Sequence, residues 1–187
     1  MKLYETTGAQ HTEETLTLAV DKAMELKTDI VIASTLGGTA MQLVQLAKEK
    51  GYQGRIVVVR CCSSAAEGGV NRMAPEMKAQ LQAEGAAIVS AAHALSAGER
   101  AISGTFKGQY PLEIIAGALR MLGAGTKVAV EISVMALDAD EIPFGKPIVA
   151  VGGTGKGCDT AVVLTPSYSA TLLQTKIHEY LCKPSLL

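Results

Sequence analysis

One short stretch of the chain, residues 29–41, constrains the fold more than any other. Its apolar, β-branched run Ile30–Ala33 is typical of a strand that is buried on both faces. The run ends in two hydroxyl residues, a leucine and a Gly-Gly pair, after which apolar residues recur at helical spacing. We therefore predict a strand, a tight glycine turn and a helix with Thr39 at its N-cap.

This turn also predicts an anion site. The free backbone N–H groups of a first helical turn carry partial positive charge, and glycines let an anion come close to them. Neighbouring hydroxyl groups add hydrogen-bond donors. A phosphate group is the natural ligand, and the alternative is an ordinary strand-to-helix connection that binds nothing. The predicted contacts are Ser34, Thr35, Gly37, Gly38 and Thr39.

The rest of the chain alternates strands and helices. Further buried strands are predicted at 55–60, 86–90, 147–151 and 160–165, and further helices at 12–26, 75–85 and 111–122. Residues 127–139 fit both a strand and a helix. We favour a buried helix, in which Glu131 needs a polar partner. Residues 61–69 read as a loop and 91–109 as irregular, and 168–187 hold one more element whose type the sequence does not determine.

Alternating strands and helices predict an α/β fold with a mostly parallel sheet and helices on both faces. The connection between 151 and 160 is too short for a helical crossover, so these two strands should pair antiparallel. In such sheets ligands bind beyond the carboxyl ends of the strands, where the strand order reverses. Glycine-rich turns follow both Ala33 and Val151, and if they share one crevice they favour a phosphorylated small molecule.

The second glycine-rich turn, Gly152–Gly157, matches neither familiar nucleotide motif. Ala150 stands where a Walker A sequence needs glycine, and Cys158 stands where the dinucleotide motif needs one. We interpret the turn as a ligand loop, the alternative being a flexible hairpin connection. The predicted contacts of this second group are Arg60, Cys61, Gly152, Gly153, Thr154, Gly155, Lys156, Gly157, Asp159 and Thr160.

A polar cluster is the third candidate site, and it consists of His93, Ser96, Glu99, Arg100 and Glu131. In a functional interpretation His93 is an acid or a base and Arg100 clamps an anion. In the structural interpretation Glu99 pairs with Arg100 and His93 caps a strand end. Structural pairs are common among such clusters, so the second interpretation is favoured.

Composition excludes several classes of protein. A chain of 187 residues suits one domain, and its net charge of −1 argues against a nucleic-acid or membrane-surface protein. The absence of Trp and the 4% share of aromatic residues argue against a base-stacking platform. The four cysteines form no C-x-x-C pair and the three histidines have no metal spacing, so we predict no metal site. A nucleophilic Cys61 or Cys62 would need a base, and no histidine is close in sequence, so buried thiols are favoured there. No signal-like or membrane-spanning apolar run is present, which predicts a cytoplasmic protein.

Several stretches of the chain carry a family resemblance when taken together. They are His11–Leu16, Leu95–Arg100, Val130–Ile132, Met135-Ala136, Val149–Gly153, Asp159–Val163 and Cys182–Pro184. These stretches resemble the free-standing pyruvate-kinase C-terminal-like α/β domain proteins of archaea and bacteria. In the kinase's own domain a hydroxyl- and glycine-rich turn after the first strand holds the phosphate of a sugar bisphosphate, and Leu36 departs from that pattern. The chain is too short for the kinase's catalytic barrel, so no pyruvate kinase activity is expected.

The resemblance implies one domain over residues 1–187. It implies a three-layer α/β/α sandwich with a five-stranded sheet of order 3-2-1-4-5 and strand 5 antiparallel. It also implies binding of flavin mononucleotide (FMN). The alternatives are a flavin-dependent oxidoreductase, an enzyme acting on a phosphorylated metabolite, and an allosteric sugar-phosphate-sensing module. Neither nucleic acid nor membrane is an expected partner, and self-association stays open.

Overall fold

The protein is built around a mixed sheet of seven strands. The computed structural model describes residues 1–64 and 68–185. In chain order the strands are β1 (Lys2–Tyr4), β2 (Ile30–Ala33), β3 (Ile56–Arg60), β4 (Ala87–Ser90), β5 (Ile148–Gly152), β6 (Thr160–Thr165) and β7 (Lys176–Pro184). The helices are α1 (Thr12–Leu26), α2 (Gly38–Glu49), α3 (Pro75–Ala83), α4 (Ala97–Phe106), α5 (Pro111–Arg120) and α6 (Ala124–Asp138), with 3-10 turns at Ala9–His11 and Ser169–Gln174. Part of the predicted loop 61–69 and the end of the tail lie outside the described residues.

The strand order is β1-β7-β6-β5-β2-β3-β4. The predicted α/β class and mixed sheet are confirmed, and β6 runs antiparallel to β5. The predicted five-stranded sheet is wrong, because β7 pairs antiparallel with β6 and β1 pairs parallel with β7. The five expected strands form the contiguous part β6-β5-β2-β3-β4. The element of undetermined type predicted within 168–187 corresponds to β7, whereas β1 was not predicted as a strand. Because β1 has three residues and most of β7 is not buried, neither presents a buried apolar run.

Helices cover both faces of the sheet. Ile30 and Ile32 of β2 belong to a core shared with α1 and α2, whereas Val31 between them belongs to a core shared with α6. Successive side chains of a strand point to opposite faces, which is why the whole of this run is apolar. Among the described residues, none of the helices is both long and apolar enough to cross a membrane.

The predicted buried helix at 127–139 is confirmed as α6, and Glu131 lies inside it. The predicted irregular segment 91–109 is wrong in part, since it contains α4. No residue of α4 is buried, and its two large apolar side chains, Ile102 and Phe106, are exposed. A helix with so few apolar residues offers no continuous stripe from which its period could be read.

Helix α6 begins in direct contact with the sheet. A Cβ atom on Gly125 would lie 2.1 Å from Thr160 Oγ1, and one on Gly152 would lie 2.4 Å from the Gly125 carbonyl oxygen. Both distances are far below van der Waals contact, so only glycines permit this approach. The contact sets the first turn of α6 against β5 and β6, and the next turns of α6 then pass the carboxyl end of β2.

We expect Gly125→Ala to lower the free energy of unfolding by about 2 kcal/mol or more, because the added methyl group overpacks this contact. Gly117→Ala is the matched control, since Gly117 also lies in a helix but a Cβ atom added to it would have no neighbour within 4 Å. That control should be neutral or stabilising by up to about 1 kcal/mol. Urea unfolding followed by circular dichroism measures both. Equal effects of the two substitutions would contradict the packing explanation.

Candidate ligand-binding site

The glycine turn after β2 differs in detail from the prediction. Helix α2 begins at Gly38, and its N-cap is Gly37 with φ 97°, so the predicted N-cap at Thr39 is wrong. Gly37 is required for two reasons: its left-handed backbone, and the 2.2 Å that would separate an added Cβ from Met77 Cγ. Ser34 is buried, and its Oγ accepts the Ala40 amide at 3.4 Å.

Two amides at the start of α2 stay available to a ligand. The first N–H groups of a helix have no partner within the helix. In the described part of the chain, the Gly38 and Thr39 amides have no hydrogen-bond acceptor, whereas Ala40 has Ser34 and Met41 has the Gly37 carbonyl. The start of α2 is therefore a place where an anion can be bound by backbone donors.

A cavity opens beside this turn, at the carboxyl ends of β2, β3 and β5. Its volume is about 580 Å³, within the range of small-molecule sites. The prediction that the two glycine-rich turns share one crevice agrees with this geometry, because both contribute to its wall. The predicted site residues that line it are Ser34, Thr35, Gly38, Thr39, Arg60, Cys61, His93, Glu131, Gly153, Gly155, Lys156 and Gly157.

Other predicted residues lie outside the cavity wall. Gly37 and Gly152 serve the close contacts described above, and Thr154 is not part of the lining. Asp159 is fully buried and accepts hydrogen bonds from the Gly8 amide at 3.0 Å and from the Thr160 hydroxyl at 2.9 Å. Asp159 and Thr160 therefore anchor the N-terminal segment, and the structure does not bring them to the cavity.

The apolar part of the wall was missed by the sequence analysis. Val128, Ile132 and Met135 line the cavity from α6, together with Leu36, Ala33 and Val59. The signal was present in the spacing, since positions 128, 132 and 135 fall on one face of a helix, and so does Glu131. The spacing alone does not distinguish the helix face that lines the cavity from the face that packs against the sheet.

The cavity carries more positive than negative charge. Within residues 1–64 and 68–185, neither Arg60 nor Lys156 forms an ion pair with a carboxylate; Arg60 Nε donates to Ser90 Oγ at 2.5 Å. The single carboxylate of the lining, Glu131, is paired with Lys127. An anionic ligand would therefore meet two cations that no described carboxylate neutralises.

Glu131 is the centre of a buried polar network. Its Oε2 accepts from Lys127 Nζ and from His93 Nδ1, the latter at 3.1 Å, and its Oε1 accepts the Leu95 amide at 3.1 Å. Burial alone would raise the pKa of Glu131, but the His93 and Lys127 hydrogen bonds outweigh it and hold the pKa at about 2. Glu131 is therefore ionised. Three groups, Lys127, His93 and the Leu95 amide, supply the polar partner that the sequence predicts for it.

The other members of the predicted polar cluster lie away from the cavity. Glu99 Oε2 accepts the Leu112 amide at 2.8 Å and the Glu113 amide at 3.3 Å, so this carboxylate serves the start of α5. Ser96 is the N-cap residue of α4, and Arg100 is exposed. The predicted cluster therefore separates into a His93–Glu131 pair at the cavity, two residues at helix starts, Ser96 and Glu99, and the exposed Arg100.

The cysteines differ from the prediction of buried thiols at positions 61 and 62. Cys61 is half-buried in the cavity wall, with Sγ 3.5 Å from Thr35 Oγ1, and Cys62 is exposed. The buried cysteines are Cys158 and Cys182, and burial raises the pKa of the Cys158 thiol to about 12. In the part of the chain that the structure describes, no three His, Cys, Asp or Glu side chains converge on a point where a metal ion could be held.

No known protein-family model matches the chain.

We expect Glu131→Gln to destabilise the fold at pH 7 by about 3 kcal/mol, because Lys127 is left as an unpaired buried cation. The pKa of Glu131 falls from 4.5 to about 2 on folding. Its contribution to stability is therefore complete above pH 4.5 and disappears as the pH falls from 4.5 toward 2. Urea unfolding of both proteins between these pH values should show the difference shrinking on acidification.

The double variant Lys127→Met/Glu131→Gln is the control for this prediction. It removes the unpaired cation and should recover part of the lost stability. A difference between wild type and Glu131→Gln that is independent of pH, or a double variant that is less stable than Glu131→Gln, would contradict the ion-pair explanation.

Proposed function

We propose that this protein binds a phosphorylated small molecule, and that FMN is the compound, in the cavity at the carboxyl ends of β2, β3 and β5. The observation that carries the proposal is that several hydrogen-bond donors without an anionic partner converge on one cavity. The Gly38 and Thr39 amides, Arg60 and Lys156 all border one cavity and have no anionic partner among the described residues. A phosphate would supply that partner.

The apolar wall supports the choice of a ligand with a flat, poorly hydrated ring. Val128, Ile132 and Met135 present aliphatic and thioether surface to the same cavity. Ligand sites commonly combine such surface with a few polar groups that fix orientation. In this arrangement the phosphate lies at the start of α2 and the isoalloxazine ring lies against α6. The resemblance to the pyruvate-kinase-like domain proteins, which are associated with FMN, favours the same ligand.

The first experiment is the visible absorption spectrum of the purified protein, with mass spectrometry of the compound released by heat. Released FMN would support the proposal directly. For protein without bound flavin, quenching of flavin fluorescence measures the affinity of added FMN and of riboflavin, which lacks the phosphate. We expect FMN to bind more tightly, because riboflavin cannot use the donors at the start of α2. Equal affinities for the two flavins would contradict the proposed phosphate site.

We expect Thr39→Asp to weaken FMN binding by about tenfold or more, because a carboxylate would stand beside the phosphate. The same substitution should leave the affinity for riboflavin nearly unchanged. Thr105→Asp is the matched control, since Thr105 is exposed in α4 and is not part of the cavity wall. An FMN affinity that is the same in Thr39→Asp and Thr105→Asp would contradict the assignment of the phosphate to this turn.

A further inference from the structure

We propose that His93 and Glu131 form an acid–base pair in the cavity wall, and that His93 Nε2 exchanges a proton with the phosphorylated compound bound there. The inference rests on the proposed function, because it needs a ligand in the cavity. The pair gives the cavity a role in proton transfer in addition to ligand binding. The substrate class is a phosphorylated compound with a dissociable proton at the end away from its phosphate.

The hydrogen bond to Glu131 determines the tautomer of His93. An ionised carboxylate can only accept hydrogen bonds, so His93 Nδ1, 3.1 Å from Glu131 Oε2, must carry a proton. In the neutral imidazole the lone pair is then on Nε2. His93 lines the cavity and its side chain is 38% exposed, which leaves Nε2 as the ring nitrogen available to a bound molecule.

The other two histidines of the chain are arranged differently. His11 Nε2 lies 3.0 Å from Thr6 Oγ1, and His178 Nε2 lies 2.8 Å from Thr165 Oγ1. In both, Nε2 is occupied by a threonine hydroxyl. Among the described residues, only His93 has Nδ1 held by a carboxylate while Nε2 has no hydrogen-bond partner.

Glu131 has two hydrogen-bond partners besides His93. Lys127, one helical turn earlier and itself buried, provides the opposite charge, and the Leu95 amide satisfies the other oxygen. The contact with His93 adds to these two. A carboxylate in this position orients an imidazole and stabilises the imidazolium that forms when Nε2 takes a proton. The other titratable side chains of the same cavity are Arg60, Cys61 and Lys156.

The proton transfer is balanced within the complex. An O–H, N–H or C–H bond of the ligand breaks, its electron pair remains on the ligand, and an Nε2–H bond forms on His93. The imidazolium is stabilised by Glu131, and the anion formed on the ligand lies in a cavity that also holds Arg60 and Lys156. The reverse transfer returns the proton to the ligand or to its product.

Acylation of histidines by diethyl pyrocarbonate tests the pair without requiring a known ligand. Mass spectrometry would give the rate at each histidine, with His11 and His178 as internal references. We expect the rate at His93 to fall by about fivefold or more in Glu131→Gln, since the imidazole loses its carboxylate partner, and the two reference rates to stay constant. Lys127→Met/Glu131→Gln, which leaves no unpaired cation, should show the same loss and guards against misfolding. A His93 that does not react while the references do, or a rate unchanged in both variants, would overturn the acid–base pair.

Added FMN tests the contact with the ligand. We expect bound FMN to slow acylation of His93 by about fivefold or more while the reference histidines keep their rates. If fluorescence shows that FMN binds and the His93 rate is unchanged, the proposed proton exchange with the ligand is wrong. If FMN does not bind at all, the proposed flavin function fails, and the rates in the Glu131 variants still decide whether the acid–base pair exists.

Discussion

Close contact between helix α6 and strands β5 and β6 is the constraint on which the candidate site depends. Neither Gly125 nor Gly152 has room for a side chain of its own at this point. Because the helix is held so closely, its next two turns pass the open end of β2 and form one wall of the cavity. The apolar lining at Val128, Ile132 and Met135 and the carboxylate of Glu131 are consequences of that one placement.

The placement of α6 also puts a charged side chain inside the protein. Glu131 is 2% exposed, and an isolated carboxylate at such a position would be costly. Lys127 supplies the opposite charge from the same helix, while Leu95 and His93 supply donors from the segment after β4. That segment is therefore tied to α6 by polar contacts as well as by apolar packing. The same contacts bring a histidine to the cavity with one ring nitrogen unoccupied.

The parts of the fold that could be predicted are those in which a local pattern and burial agree. The run Ile30–Ala33 is apolar throughout because both faces of β2 are covered. Helix α6 is buried along its length and therefore apolar on more than one face, which is why residues 127–139 fit a strand as well as the favoured helix. Strands β1 and β7 and helix α4 could not be predicted in the same way. Most of their residues are not buried, so their secondary structure depends on backbone pairing or on neighbouring elements and leaves little periodicity in the sequence.

The sequence by itself determined the α/β class, the glycine turns and the end of the sheet at which they lie, because these follow from the periodicity of short segments. Only the tertiary structure decided which of the residues in those turns reach the cavity. Thr39 and Lys156 line it, whereas Asp159, near Lys156 in the chain, is buried against the Gly8 amide. Such partners are distant in sequence and meet only when the whole sheet has formed, so no local pattern can report them.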